Sequence, residues 1–424
     1  LTTSHSDLFG VPAAATGCPV AHTGSPVDPE GPRILLDTPE FVADPHRAYQ
    51  EMRDRHGSLV PIELSPGVPA TLVIGYHTAL RILNDPDHFP ADPRAWQVTV
   101  PEDCPVRPIM QWYPNVIRNT GDVHQRYRQA FTAGFNGVDL HRLHATVERI
   151  AIPLINEFCE SGSADLVSQY AFPLVFEVLN QMVGCSAELG ARVASGMAAL
   201  FDTVNAAWGL EHLSRALMEL VQLRRAVPGD DFTSRIAHHA ARLTDEEMLY
   251  NLIVFYGGGI EPQQNLISNT LLLMITDSRF GGDMLGGSLS TRDALDEVLF
   301  KDPPMANFSI TYPRQPILIE NTWLPAHQPV VVSLAACNND PLIAGGDRTG
   351  NRSHLAWGAG PHACPARTVA YLVVQDAIDQ LLDTLPEITL AVDPSEISWR
   401  PGPFHRAMAA LPVTFPPSPR LNLG

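Results

Sequence analysis

The sequence predicts a mainly α-helical protein with a small β part, built as one domain. Three observations lead there. From Gly121 to Leu223 apolar residues recur mostly at spacings of three and four, as in helices that bury one face. A second such stretch opens at the capping sequence Thr244-Asp245-Glu246-Glu247 and runs to roughly Thr276. Short β-rich pieces flank this helical middle, and no internal repeat or linker divides it.

Taken in order, residues 1–32 carry Pro, Gly, Ser and Thr without periodicity and read as a loosely tied arm ahead of a domain spanning 33–424. Pro45 to His56 reads as a short helix. Leu59–Leu64 and Ala70–Tyr76 bracket the turn Ser65-Pro66-Gly67 and form a hairpin. The stretch from Asp85 to Pro114, crowded with Pro, Asp and aromatic residues, is too long for a plain connector and is expected to serve function. Pro228-Gly229-Asp230-Asp231 marks a turn between helices. Beyond Pro303, Ile317–Ile319 and Val330–Leu334 read as strands, and a Gly-rich loop leads into a last strong helix, Ala366 to Thr384.

Composition narrows the function classes. Hydrophobic residues at 45% and charged residues at 17% exclude a disordered chain. A formal charge of −18 argues against nucleic acid or an anionic membrane surface, both of which need a dense Lys/Arg footprint. No apolar run approaches the roughly 18 residues needed to span a bilayer. The N-terminal residues lack the basic and apolar order of a secretory signal, so a cytoplasmic location is expected. Six cysteines stand without a CxxC pair, which suggests neither a disulfide framework nor a structural zinc site.

One cysteine stands apart. In Trp357-Gly358-Ala359-Gly360-Pro361-His362-Ala363-Cys364-Pro365-Ala366-Arg367, glycines allow close backbone approach and the sulfur is delivered where a helix starts. Pro365 suits the first helical position, having no N–H to leave unpaired. The positive end of the helix dipole favours a thiolate, the form that binds metal. A buried structural cysteine beside a glycine turn is the competing reading of this loop alone.

This loop resembles the signature of the cytochrome P-450 family, in which an aromatic residue, Gly-x-Gly-x-His-x-Cys and a Gly surround the haem ligand. The resemblance extends in order over nearly all of the chain after about residue 40. Asp122, His124 and Arg128 resemble the family's His-x-x-x-Arg segment, whose spacing puts both donors on one helix face to meet the haem propionates. Gly257-Gly258-Gly259-Ile260-Glu261 resembles the helix that crosses the haem face; glycines inside a helix cost roughly 1 kcal/mol each relative to Ala, so a reason for small residues is expected. Ala336 to Pro341, Asn351 to His354 and the stretch from Trp399 to Val413 resemble the meander and the C-terminal hairpin that touches substrate.

The resemblance implies a cytochrome P-450 fold and haem b (iron protoporphyrin IX), with Cys364 as the iron ligand. His124, Arg128, His362, Trp357, Gly358, Gly360 and Ala366 would contact the cofactor. Gly258, Gly259, Glu261 and Pro262 would form the catalytic stretch of the distal helix. By position, Trp96, Phe201, Phe255, Ile260, Met305, Phe308, Phe404 and His405 would line the substrate pocket, although each reads equally well as plain core.

The sequence also departs from the family. Glu-x-x-Arg appears as Glu297-Val298-Leu299-Phe300, leaving an acid without its arginine. An unpaired buried carboxylate is expensive, and Arg348 is expected to reach Glu297. Pro262 stands where the family's oxygen-activating threonine belongs, so Glu261 is expected to carry proton delivery, with Gln263 and Gln264 ordering water. Proline also interrupts the helix ladder four residues back. The stretch Phe308 to Gln315 lacks a propionate arginine, Arg314 being about two residues displaced.

The leading function is that of a monooxygenase of the soluble bacterial type acting on a small organic molecule. It would draw electrons from a ferredoxin that docks near the cysteine loop, where Arg126 and Arg367 supply positive charge. A peroxide-fed or non-oxygenating haem-thiolate catalyst is the first alternative, favoured by Pro262. A non-catalytic haem-binding partner protein is the second.

Overall fold

The computed structural model describes residues 33–36, 38–201, 206–280, 289–343, 345 and 350–422, with backbone alone for 198–201 and 206–207. The arm expected over 1–32 lies outside these residues. Strand β1 (Ile34–Leu35) comes first. Helices α1 (Pro39–Ala43) and α2 (Pro45–His56) follow, each opened by a side-chain cap, Thr38 or Asp44, and by a proline in its first turn. The expected hairpin is β2 (Leu59–Glu63) and β3 (Pro69–Val73), antiparallel with Ile62 opposite Ala70. β3 stops short of the expected Tyr76 because that residue opens α3 (Tyr76–Leu83).

The stretch 85–114 holds two single-turn helices, α4 (Arg94–Gln97) and α5 (Arg107–Met110), which bury Trp96 and Met110. The long helical run appears as α6 (Gly121–Asn136), α7 (Leu140–Phe158), α8 (Phe172–Val183), α9 (Ala187–Phe201), α10 (Ala206–Ala226) and α11 (Phe232–Ala237), with β4 (Ser163–Asp165) between α7 and α8. α12 (Asp245–Thr276) starts at the anticipated capping box, Thr244 with Glu247, and α13 (Thr291–Lys301) at a second one, Ser290 with Asp293.

The C-terminal third supplies β5 (Ser309–Thr311), β6 (Ile317–Ile319), β7 (Thr322–Leu324), β8 (Val330–Val332), α14 (Leu334–Asn338), α15 (Arg367–Thr384), β9 (Thr389–Leu390) and β10 (Pro412–Thr414). β8 ends before the expected Leu334 because Ser333 caps α14. A five-stranded sheet runs in the order β1-β2-β3-β8-β5, and β8 joins β3 in parallel across most of the sequence. Apolar faces of α7, α8, α10, α12 and α15 share the largest core cluster, and the sheet covers a second. No helix among the described residues is long and apolar enough to cross a membrane.

The acid expected to be stranded on α13 is not the one that needs help. Glu297 lies near the surface and accepts from Arg279 Nη2 at 2.7 Å, so its solvation and its partner are both local. Arg348, the partner expected for it, lies outside the described residues. The buried carboxylate is Asp296, which accepts from Arg352 Nε at 2.7 Å and from the Tyr371 hydroxyl at 2.6 Å, with Arg292 Nε at 3.7 Å. Phe300, in the place of the missing arginine, meets the buried His354 edge to face at 5.2 Å. An ionic knot on the neighbouring acid thus ties α13 to the segment before the cysteine loop and to α15. Asp296→Ala leaves the buried Tyr371 hydroxyl without its acceptor, a loss of about 1–3 kcal/mol. It should lower the thermal midpoint clearly, whereas Glu297→Ala should change stability by no more than about 0.5 kcal/mol.

Candidate functional site

Cys364 sits on a loop with little backbone freedom. Gly358 N donates to Leu355 O and Cys364 N to Trp357 O, both at 2.7 Å. Gly358 and Gly360 have φ of 70° and 66°, the left-handed region that favours glycine. A Cβ on Gly360 would overlap the carbonyl oxygen of Leu83, so the loop is seated directly on the end of α3. α15 begins at Arg367 with Ala366 as its N-cap, and Ala370 N bonds to Ala366 O at 2.8 Å. Pro365 therefore lies in the turn before the helix, not at its first position. The sulfur rests at the helix mouth. Burial pushes the Cys364 thiol up, while the Ala366 N–H and the Arg128 guanidinium act the other way by favouring the anion.

Facing this loop, α6 presents His124 and Arg128. The ring of His124 lies 3.9 Å from that of His362, centroid to centroid, at 35°. Burial, then Arg128, hold His124 down at about 4. Burial, then His124, Arg128 and Arg118, hold His362 down at about 3. Sequence reasoning missed Arg118, although it is the one charged residue between Pro108 and Gly121. It is only 3% exposed; Nη2 donates to Ile109 O at 2.6 Å and Nε has no partner. His124 Nε2 is likewise buried without a partner. Among the described residues no carboxylate acts on any of these four bases.

On α12, incomplete burial recurs at Val254, Gly257, Gly258, Glu261 and Pro262, one helix face. A Cβ on Gly257 or Gly258 would meet nothing within 4 Å, so these glycines border open space. Gly259 differs, since a side chain there would strike Leu179 of α8. The helix continues through Pro262 rather than ending there, and Gln263 Nε2 donates to the Gly259 carbonyl at 3.1 Å. Glu261 is no free acid. It forms an ion pair with Arg400 and accepts from Gln264 Nε2 at 2.9 Å and Asn265 Nδ2 at 3.1 Å. Gln263 and Gln264, expected to order water, are buried with their amide nitrogens bound to protein.

The anticipated pocket residues divide. Phe255 belongs to a core aromatic group, 4.6 Å from Phe232 and 5.7 Å from Phe135, and Ile260 is 1% exposed. Trp96 is buried against Tyr312 at 5.8 Å. Met305 and Phe308 are partly exposed, and Phe308 meets the buried Phe404 edge to face at 6.0 Å. His405 keeps Nε2 without a partner; burial, then Arg400, hold it down at about 4. The side chain of Phe201 lies outside the described residues. Of the two expected docking cations, Arg367 is exposed, but Arg126 is paired with Glu247 and bound to Ala241 O.

Among the described residues no three His, Cys, Asp or Glu side chains converge as a metal cage. A metal at Cys364 would therefore bring most of its own ligands. No family model matches the chain. It is 26% identical over 388 residues to the cytochrome P450 monooxygenase PikC of Streptomyces venezuelae, covering 88% of this chain and 92% of that protein. It is 25% identical over 402 residues to the 6-deoxyerythronolide B hydroxylase of Saccharopolyspora erythraea, covering 89% and 98%. The solved structure of CYP154C4 from Streptomyces sp. W2061 superposes with a TM-score of 0.81 at 25% identity, covering 90% and 98% of the two chains.

Over nearly nine-tenths of its length and in its fold, the chain is similar to bacterial cytochrome P-450s. That likeness implies a haem-thiolate cofactor, and the residues present fit one. A single sulfur sits at a helix mouth, no acid among the described residues acts on the cluster of bases, and a glycine-faced helix leaves open space beside a part-buried carboxylate.

Two outcomes follow from this geometry. Gly360→Ala must displace the loop from Leu83, so it should lower the haem-to-protein ratio several-fold. His354 and His405, each held at about 4 against an ordinary 6.5, refuse protons that the unfolded chain accepts. Stability should therefore be full above about pH 6.5 and fall as pH drops towards 4. Denaturant titrations across that range check the sign, and His405→Gln should flatten part of the slope.

Proposed function

We propose that this cytochrome P-450 binds haem b through Cys364 and oxygenates a small organic molecule with electrons from a ferredoxin-type donor. The observation that carries the reading is the combination of the Cys364 sulfur with facing bases that no acid neutralises. When bound, a thiolate-ligated haem supplies an electron-rich iron that favours O–O cleavage. His124, His362 and Arg128 would hold its propionates, and Trp357, Gly358, Gly360 and Ala366 would frame the sulfur side. Gly258, with Gly257, would leave room on the distal side, and Gly259 would keep α12 close to α8. Met305, Phe308, Phe404 and His405 are the substrate contacts with most support. Trp96, Phe255 and Ile260 act through the packing behind the pocket.

Arg400, Gln264 and Asn265 all engage the Glu261 carboxylate, and Pro262 offers neither a hydroxyl nor an N–H. A proton reaches the distal side through Glu261 only when a carboxylate oxygen is released from Arg400. The donor would approach the face carrying exposed Arg367, with Arg126 in a lesser role, in a cytoplasmic setting. Relatives that bear the names 6-deoxyerythronolide B hydroxylase and vitamin D(3) 25-hydroxylase support a small organic molecule, such as a natural product, as the substrate class. A second reading, a peroxide-fed or non-oxygenating catalyst, is favoured by Pro262 together with the tethered Glu261.

The ferrous carbon monoxide difference spectrum should show the Soret shift of a thiolate complex, lost in Cys364→Ser. Reductant consumption with a ferredoxin system, compared with peroxide consumption, separates the readings. Reductant-driven turnover supports the monooxygenase, turnover with peroxide alone supports the second reading, and a chain that binds no haem overturns both.

A further inference from the structure

Arg118 is a buried cation that the fold does not satisfy. The side chain is 3% exposed, one Nη2 N–H is used on Ile109 O at 2.6 Å, and Nε has no partner. No carboxylate lies within salt-bridge reach among the described residues, where the Tyr312 hydroxyl alone favours its charge. A guanidinium held this way normally has an anion, because an uncompensated buried charge is strongly destabilising. The anion has no candidate among the described residues.

Position says where it must sit. Arg118 acts on His362, two residues before Cys364, and its guanidinium lies 5.8 Å over the ring of Phe308. Phe308 opens the very stretch, 308–315, in which the sequence lacks an arginine for the cofactor. Arg314, the nearest substitute in sequence, is turned away: Nε donates to Asp87 O at 2.9 Å and the side chain is exposed. The missing charge therefore enters from the other side of the site, on the segment ahead of α6.

We propose that Arg118 is a carboxylate anchor of the cofactor, taking over from the strand side the propionate contact that Phe308–Gln315 cannot make. The proposal rests on the haem reading of the Cys364 site. It predicts that Arg118 contributes to binding through a charge-assisted hydrogen bond, with Phe308 as an apolar backing rather than a substrate contact alone.

The test is haem transfer from the holoprotein to an excess of a haem-scavenging apoprotein. Arg118→Met should release haem about tenfold faster or more, with the thiolate Soret band kept in the fraction still loaded. Arg118→Lys should recover most of the loss, and Arg314→Gln should match wild type. A purely structural role is separated by the thermal midpoint of the full chain without haem. Removing an unpaired buried charge should leave that midpoint unchanged or raise it, while the gain on adding haem shrinks. Equal haem release from Arg118→Met and wild type would overturn the proposal, as would a fall in the haem-free midpoint large enough to account for the faster release. A wild-type chain that holds no haem would instead sink the reading of the site itself.

Discussion

Buried positive charge without a matching acid is the constraint around which the site is organised. His124, Arg128, His362 and Arg118 come from α6, the segment before it and the cysteine loop, and among the described residues no carboxylate acts on them. Desolvation keeps the two imidazoles neutral, but the guanidiniums stay charged. Arg128 also favours the Cys364 anion, so the sulfur and that guanidinium are parts of one electrostatic arrangement. Loop geometry serves it: Gly360 lies flat on the Leu83 carbonyl, and the Ala366 N–H is left pointing at the sulfur.

The other side of the site has the opposite logic. Glu261 is an acid with more partners than a proton carrier wants. An ion pair and two amide donors engage its carboxylate, and the proline beside it carries neither a hydroxyl nor an N–H. Arg400 belongs to the C-terminal segment where Trp399 bridges to Met408, so the state of the distal acid is tied to the placement of that hairpin.

Much of this was legible in the sequence, and the reasons are local. The capping box at Thr244, the hairpin around Ser65-Pro66-Gly67 and the helix after Cys364 follow from short-range rules, and each appeared within a few residues of its expected place. What escaped were pairings across the chain. β8 finds β3 far away in sequence, and the strands β1, β4, β5, β9 and β10 are two or three residues long, too short for periodicity to mark. The stranded acid was sought at Glu297 by motif alignment, whereas burial falls on Asp296, one residue away on the inner face of α13. Arg118 carried no motif. Its only signal was a solitary charge in an apolar and amide-rich stretch, which gains meaning once its burial is known.

The Asp296 knot has a consequence for how the protein is made. Its carboxylate gathers Arg352 and Tyr371, which flank the cysteine loop in sequence, onto a helix that is synthesised before either. The bases of α6 leave the ribosome earlier still, long before Cys364 exists as part of the chain. Contacts of such long sequence separation close late in folding. The knot is therefore complete only once Tyr371 has been made, and a chain that stops short of that residue lacks the tie between α13 and α15.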